Sequence, residues 1–397
     1  MNNKLKILVL YPHPPEPDGV SMQGHYLIKG LKENGVDVMP CDRENNIEKE
    51  WALHSFKPDV SLGIGFWADT PGLVYYPQEH GILPVPWFNA DGWVANYHDT
   101  LNKLPLVVAT SSWVKETYKR DGVGGENVQV CHIGFDPETF HPIPITDPRI
   151  KKLRELLDVK EDEKMILTVG GDVTSKGAQE MFKALKIING KFKKWKYVLK
   201  AWDSFSADNH GKEEQLLIKE LGLNHDRITY LRGKLSPEFM NILLNACDIY
   251  AAPSRLEGFG MIQLEAQACS KPVISINVGG PKDTIIHNKT GFLVNVGEEI
   301  KLDREWAYPN MGFEMQHQIL FPEPKVFAYR ANINQLADYT LKLLTGDSLR
   351  ETMGKAAAEH ALKNFHYKIT AKRMIDLIEK FVIKRLPKIS LHQDSGN

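Results

Sequence analysis

Cysteine is scarce. The four in 397 residues (Cys41, Cys131, Cys247 and Cys269) stand far apart, with none of the paired spacings that frame a zinc site or a disulfide scaffold. That usage fits reduced thiols in a cytoplasmic protein. Long apolar runs are absent too: nothing approaches the roughly 20 consecutive apolar residues of a membrane span. The apolar run at residues 6–10 is too short for a signal peptide and reads as a first strand. At most a peripheral membrane contact is expected. Charge of one sign is also missing. Against 49 Lys and Arg stand 50 Asp and Glu, a net charge of -1, so there is no electrostatic footprint for nucleic acid. The basic run 191–196 reads as a solvated helix end. No Asp-x-Asp pair follows a predicted strand, and Glu161-Asp162-Glu163 precedes one on a charged turn. Neither a metal nor a cofactor is therefore expected. No repeat or low-complexity tract appears.

What is present is an ordinary globular balance, 42% hydrophobic and 25% charged, at a length suited to two or three domains. One stretch organises the rest. Residues 248–252 form a short apolar run bounded by Pro253, which predicts a buried strand. From about Gly260 the apolar positions Met261, Leu264 and Ala268 recur at helical spacing, and residues 272–277 form a second apolar run. Strand, glycine turn, helix and strand within about 30 residues make a βαβ unit, so this sheet is parallel. Glu257 falls in the turn at the carboxyl end of the first strand, where open α/β sheets place their ligands. Glu265 falls within a helix that is apolar nearly all round, so its charge calls for a polar partner. Gly258 and Gly260 present backbone N–H groups at a helix start, a seat for phosphate. A ligand carrying both hydroxyls and phosphate would satisfy all of these groups. Two glutamates eight residues apart are common, and the pair alone does not mark a site.

The longer string is more specific. Ser254 to Ala266, with Lys271-Pro272-Val273-Ile274, Gly279-Gly280 and Thr290-Gly291-Phe292-Leu293, resembles the donor-binding half of retaining glycosyltransferases of family four, whose signature is a glutamate, seven residues and a second glutamate. The resemblance covers most of the chain and is most specific in its second half. It implies the GT-B fold, an α/β architecture of two Rossmann-like domains facing a cleft, with a C-terminal helix crossing back to the N-terminal domain. The implied divisions are 1–145 for acceptor binding, 146–365 for the nucleotide sugar and 366–386 for the returning helix. The implied reaction transfers a hexose-type sugar from a nucleoside diphosphate donor, UDP- or GDP-linked, to an acceptor with retention at the anomeric carbon. The acceptor class, whether sugar, glycan, lipid or small molecule, stays open.

Role by role, the resemblance places Glu257 against the sugar, Glu265 on the ribose, and the backbone from Gly258 through Phe259 to Gly260 under phosphate. Lys176, in a Ser-Lys-Gly context before a predicted helix, becomes the cation for the leaving diphosphate; its plain reading is an exposed loop lysine. Two departures matter. Where the family has an arginine, this chain has Gly171, which leaves Arg255 or Arg232 to replace it. Where many relatives carry His-Asp, Asn89-Ala90-Asp91-Gly92 keeps only the aspartate, so Asp91 is either a catalytic aid or a turn residue. The first loop, 11–21, is rich in proline and retains Gly19 where the family is glycine-rich.

The chain otherwise alternates strand and helix: strands near 36–39, 60–64, 83–88, 107–110 and 128–133, with helices over 22–33, 94–102 and 112–120. The second half adds helices over 149–157, 178–188, 237–246, 333–344, 348–364 and 368–383, and strands at 165–169, 197–201 and 228–231. Residues 298–328 have no counterpart and read as a surface insertion. Two other functions compete. One is a sugar-nucleotide binder or glycoside phosphorylase or hydrolase without transfer. The other is a nicotinamide oxidoreductase built on Gly63-Ile64-Gly65 and the residues to Ala68, a dinucleotide fingerprint without an acidic residue at the right distance.

Overall fold

The computed structural model describes residues 5–90 and 92–385. The chain divides into two compact units. The first comprises Met1–Gly134, Asp303–Pro324 and Phe365–Asn397; the second comprises Phe135–Leu302 and Lys325–Asn364.

The first unit is built on six parallel strands: β1 (Lys6–Tyr11), β2 (Asp37–Asp42), β3 (Val60–Phe66), β4 (Leu83–Asn89), β5 (Val107–Ala109) and β6 (Val128–Val130), in the order β2-β1-β3-β4-β5-β6. The chain runs to one side of β1 for β2 and to the other side for β3 onward. Its topological switch point therefore lies between β1 and β3. Helix Gly19–Glu33 begins three residues before the predicted start, because the Asp18 carboxylate accepts from the N–H groups of Val20 and Ser21, each at 3.0 Å. Gly19 is its first residue and is exposed. The closing helix Tyr367–Phe381 lies against Gly19–Glu33, with the Tyr367 hydroxyl donating to Glu33 at 2.7 Å.

Two expectations in this unit fail for physical reasons. Of the predicted helix over 94–102, only His98–Lys103 is helical; Tyr97 sits at φ +62°, which breaks the helix ahead of it. The glycines of the nicotinamide fingerprint, Gly63 and Gly65, lie inside β3, packed under Leu73 and Asp69. A dinucleotide site needs its glycines in the turn between strand and helix. The oxidoreductase alternative falls on that geometry.

The second unit repeats the theme with β7 (Lys164–Val169), β8 (Trp195–Lys200), β9 (Ile228–Leu231), β10 (Ile249–Ala252), β11 (Val273–Ile276) and β12 (Gly291–Val294), all parallel, in the order β12-β11-β10-β7-β8-β9. One face of the sheet is dry: Ile166, Trp195, Tyr197, Leu199, Ile249 and Ala251 pack with Met181, Phe182 and Leu185 of helix Ala178–Asn189 and with Leu336 of helix Ile333–Thr345. The strand order reverses between β7 and β10, so the loops leaving their carboxyl ends are neighbours.

The insertion is a two-stranded sheet, β13 (Val296–Ala307) and β14 (His317–Ala331). Its outer part belongs with the first unit, where the Asn96 amide donates to the carbonyls of Met311 (3.1 Å) and Gly312 (3.2 Å) and Trp93 meets Phe321 edge-on at 5.7 Å. The four cysteines are buried and unpaired. Among the described residues no helix is long and apolar enough to cross a membrane.

Candidate active site

The second unit's switch point is built from two turns. After β7 comes Gly170-Gly171-Asp172-Val173-Thr174-Ser175-Lys176-Gly177, pinned where Asp172 accepts from the Thr174 N–H at 3.0 Å. Gly177 then opens helix Ala178–Asn189 at φ +87°, a conformation that glycine adopts without strain, and it lies against the Pro253 carbonyl. After β10 comes Pro253-Ser254-Arg255-Leu256-Glu257. The Arg255 N–H donates to the Ser175 carbonyl at 2.9 Å, which fixes one turn to the other. On the far side, the Gly280 N–H donates to the Glu257 carbonyl at 2.9 Å. The backbone of Glu257 is thus held from both neighbouring loops.

This arrangement brings Lys176 to Glu257. Lys176 Nζ donates to Glu257 Oε2 at 2.7 Å, and the Ser254 hydroxyl lies 3.4 Å from the same oxygen. Both side chains are partly exposed, 25% and 16%. Among the described residues Glu257 Oε1 has no protein partner, and Lys176 uses one of its three N–H bonds. The pair keeps bonding capacity for a ligand. Beneath it, the Tyr250 phenol is buried; burial pushes its pKa up, and the charges of Glu257 and Glu265 push it further.

Helix Met261–Ala268 starts from Gly260 at φ +94°, and no side chain caps it. The helix follows the turn that leaves the carboxyl end of β10, and its first N–H groups lack a side-chain cap, as a phosphate seat requires. Glu265, on the same helix, is 7% exposed.

The two arginines considered as replacements at Gly171 are engaged elsewhere. Arg255 pairs with the buried Glu180 (3.0 Å) and with Gln179 (2.8 Å), and Arg330 of β14 meets the same Glu180 at 2.8 Å. Arg232 is paired with Asp208 and lies 3.9 Å from Asp203. Gly19 belongs to the first unit, and Asp91 lies outside the described residues.

Sequence reasoning missed Glu180, Ser254 and Lys200. Ser254 stood at the head of the motif without a role, and Lys200 left a trace as a charged residue ending a strand that is buried throughout.

Residues 149–306 match the model of the glycosyl transferases group 1. A D-inositol 3-phosphate glycosyltransferase of Corynebacterium jeikeium is 27% identical over 277 residues, 69% of this chain and 57% of the relative. The capsular polysaccharide biosynthesis glycosyltransferase CapM of Staphylococcus aureus is 24% identical over 280 residues, 70% of this chain and 62% of the relative. The match thus spans less than two thirds of these relatives' own length. Among solved structures, sucrose-phosphate synthase of Thermosynechococcus elongatus superposes with a TM-score of 0.72 at 18% identity, covering 96% of this chain and 100% of that one. Anabaena HepE in complex with UDP and glucose gives 0.70 at 18% identity over 95% of this chain and 100% of that one. The chain has the GT-B fold, and residues 149–306, nearly all in its second unit, match the glycosyl transferases group 1 model.

Proposed function

We propose that the protein is a glycosyltransferase that moves a hexose-type sugar from a nucleoside diphosphate donor to an acceptor hydroxyl, with retention at the anomeric carbon. The observation that carries this reading is the Lys176–Glu257 pair at the β7–β10 switch point, held at 2.7 Å with unused bonding capacity on both partners. In the reaction the bond from the anomeric carbon to the diphosphate oxygen breaks, a bond to the acceptor oxygen forms, and the acceptor hydroxyl's proton passes to the leaving diphosphate. Positive charge develops on the sugar and negative charge on the leaving group. Glu257 orients the sugar and stabilises the first. Lys176 and the N–H groups at the start of helix Met261–Ala268 stabilise the second. Glu265 accepts from the two ribose hydroxyls. The likeness to HepE, whose structure holds UDP and glucose, supports a uridine donor as the first to test.

A thermal-shift panel of UDP- and GDP-sugars identifies the donor, since a ligand at about 100 times its dissociation constant adds about 2.7 kcal/mol. Release of nucleoside diphosphate from that donor should then rise with added acceptor. The product's anomeric configuration, read by NMR, should match the donor's. Release that no acceptor accelerates would reduce the protein to a binder or hydrolase, and an inverted product would overturn retention.

A further inference from the structure

The charges at the carboxyl end of this sheet do not balance a diphosphate. Lys176 is neutralised by Glu257, Arg255 and Arg330 together by Glu180 and Glu298, and Arg232 by Asp208. A donor bringing about two negative charges onto that set would meet no net positive side chain. One cation nearby is uncompensated. Lys200 is the last residue of β8, is 4% exposed, and among the described residues has no carboxylate at ion-pair distance. We propose that Lys200 binds the diphosphate of the nucleotide donor, supplying the positive charge that the paired cations cannot.

The position supports it. Lys200 is one strand over from the Lys176 loop, and its carbonyl accepts from the Gly170 N–H at 3.0 Å, so it forms part of the base of that loop. Its ammonium stands 5.5 Å from the centroid of the Trp202 ring, two residues beyond the strand end, which puts it at the ligand side of the sheet. The same indole lies over Gly171, where an added Cβ would be 3.4 Å from the ring, and the backbone N–H of Trp202 donates to the Gly171 carbonyl at 3.1 Å. One ring therefore spans Lys200 and the turn that leads to Lys176. An aromatic face attracts an ammonium without cancelling its charge, so the cation stays available to an anion. Burial lowers the Lys200 pKa to about 8, and Asp203, itself 3.9 Å from Arg232, pulls it the other way. A buried ammonium without a counter-ion is costly to keep. A bound diphosphate would relieve that cost, which gives the arrangement a purpose.

The inference rests on the nucleotide-sugar reading above, and calorimetry on the full chain separates the two. UDP, GDP, ADP and inorganic pyrophosphate are titrated into wild type, Lys200→Met and Lys200→Arg, with the parent nucleosides as uncharged controls. For whichever diphosphates wild type binds, Lys200→Met should weaken affinity by about 10- to 100-fold, the range of a lost charge-assisted contact. Nucleoside affinity should stay within about 2-fold, and Lys200→Arg should recover most of the loss. Methionine keeps the volume and removes only the buried charge, so the melting temperature should hold or rise. Unchanged diphosphate affinity in Lys200→Met overturns the proposal and leaves the donor site standing. Equal weakening of nucleoside and diphosphate assigns Lys200 a structural role and overturns it as well. If wild type binds none of the four phosphates, the nucleotide-sugar reading falls and takes Lys200 with it.

Discussion

The two units have the same kind of switch point and use it differently. In the first unit, Arg43, just past the end of β2, reaches across β1 to donate to the Ile64 carbonyl and to Asp69, each at 3.0 Å, and Asp69 accepts from the Phe66 N–H at 2.8 Å. Charge there ties the turn after β2 to the turn after β3. In the second unit, between β7 and β10, Lys176 and Glu257 meet at 2.7 Å, but backbone bonds from Ser175 and Gly280 have already fixed the turn. The side chains are spare, and a ligand can use them. Fold supplies the place in both units, and only the bonding left over marks a site.

Substitutions sharpen that contrast, beginning with the largest effect. Glu257→Gln keeps shape and hydrogen bonding but removes the charge proposed to face the sugar. Turnover should fall about 10³-fold or more with donor affinity nearly unchanged, measured as initial rate beside donor titration. Lys176→Ala should lower turnover by about 10²–10³-fold, since one preorganised donor to the leaving group is lost. An effect below about 5-fold would place the diphosphate off this loop.

A third measurement reads stability against pH. Burial depresses the Lys200 pKa from 10.5 to about 8, so below pH 8 the folded state carries the full cost of the buried charge, and above 10.5 it carries none. Wild type should therefore gain stability relative to Lys200→Met as pH rises through that window, by on the order of 1–3 kcal/mol in urea melts. A constant difference would mean that Lys200 is not strained by burial. The smallest effect is expected in the first unit. Asp69→Ala strips the acceptor from Phe66 and the partner from Arg43, and should cost about 1 kcal/mol of stability while leaving donor affinity unchanged. Loss of donor affinity there would erase the distinction between the two switch points.

Much of this was legible in the sequence where the signal was local. The βαβ unit around Glu257 and Glu265 is contiguous, so its strand, turn and helix could be read directly, and the alternation of elements gave both Rossmann-like units. The Lys176–Glu257 contact joins residues 81 apart and depends on β7 lying beside β10, which no local pattern encodes. Helix Asn46–Phe56 was invisible because it buries only Lys49, Ala52 and Leu53 and leaves Ile47 and Trp51 exposed, so it has no apolar stripe. Helix Phe205–Glu220 escaped for the same reason, burying only Ala207, Glu214 and Ile218. The ion pairing that engages Arg255 runs through Glu180, a residue whose burial only the tertiary structure reveals.

Hydrogen exchange with and without the donor found in the thermal-shift panel tests the central claim most directly. Bound donor should slow exchange in the turns at residues 170–177 and 254–265. Slowing confined to the first unit's loops at 11–19 and 66–70, with no change at 170–177 or 254–265, would contradict it.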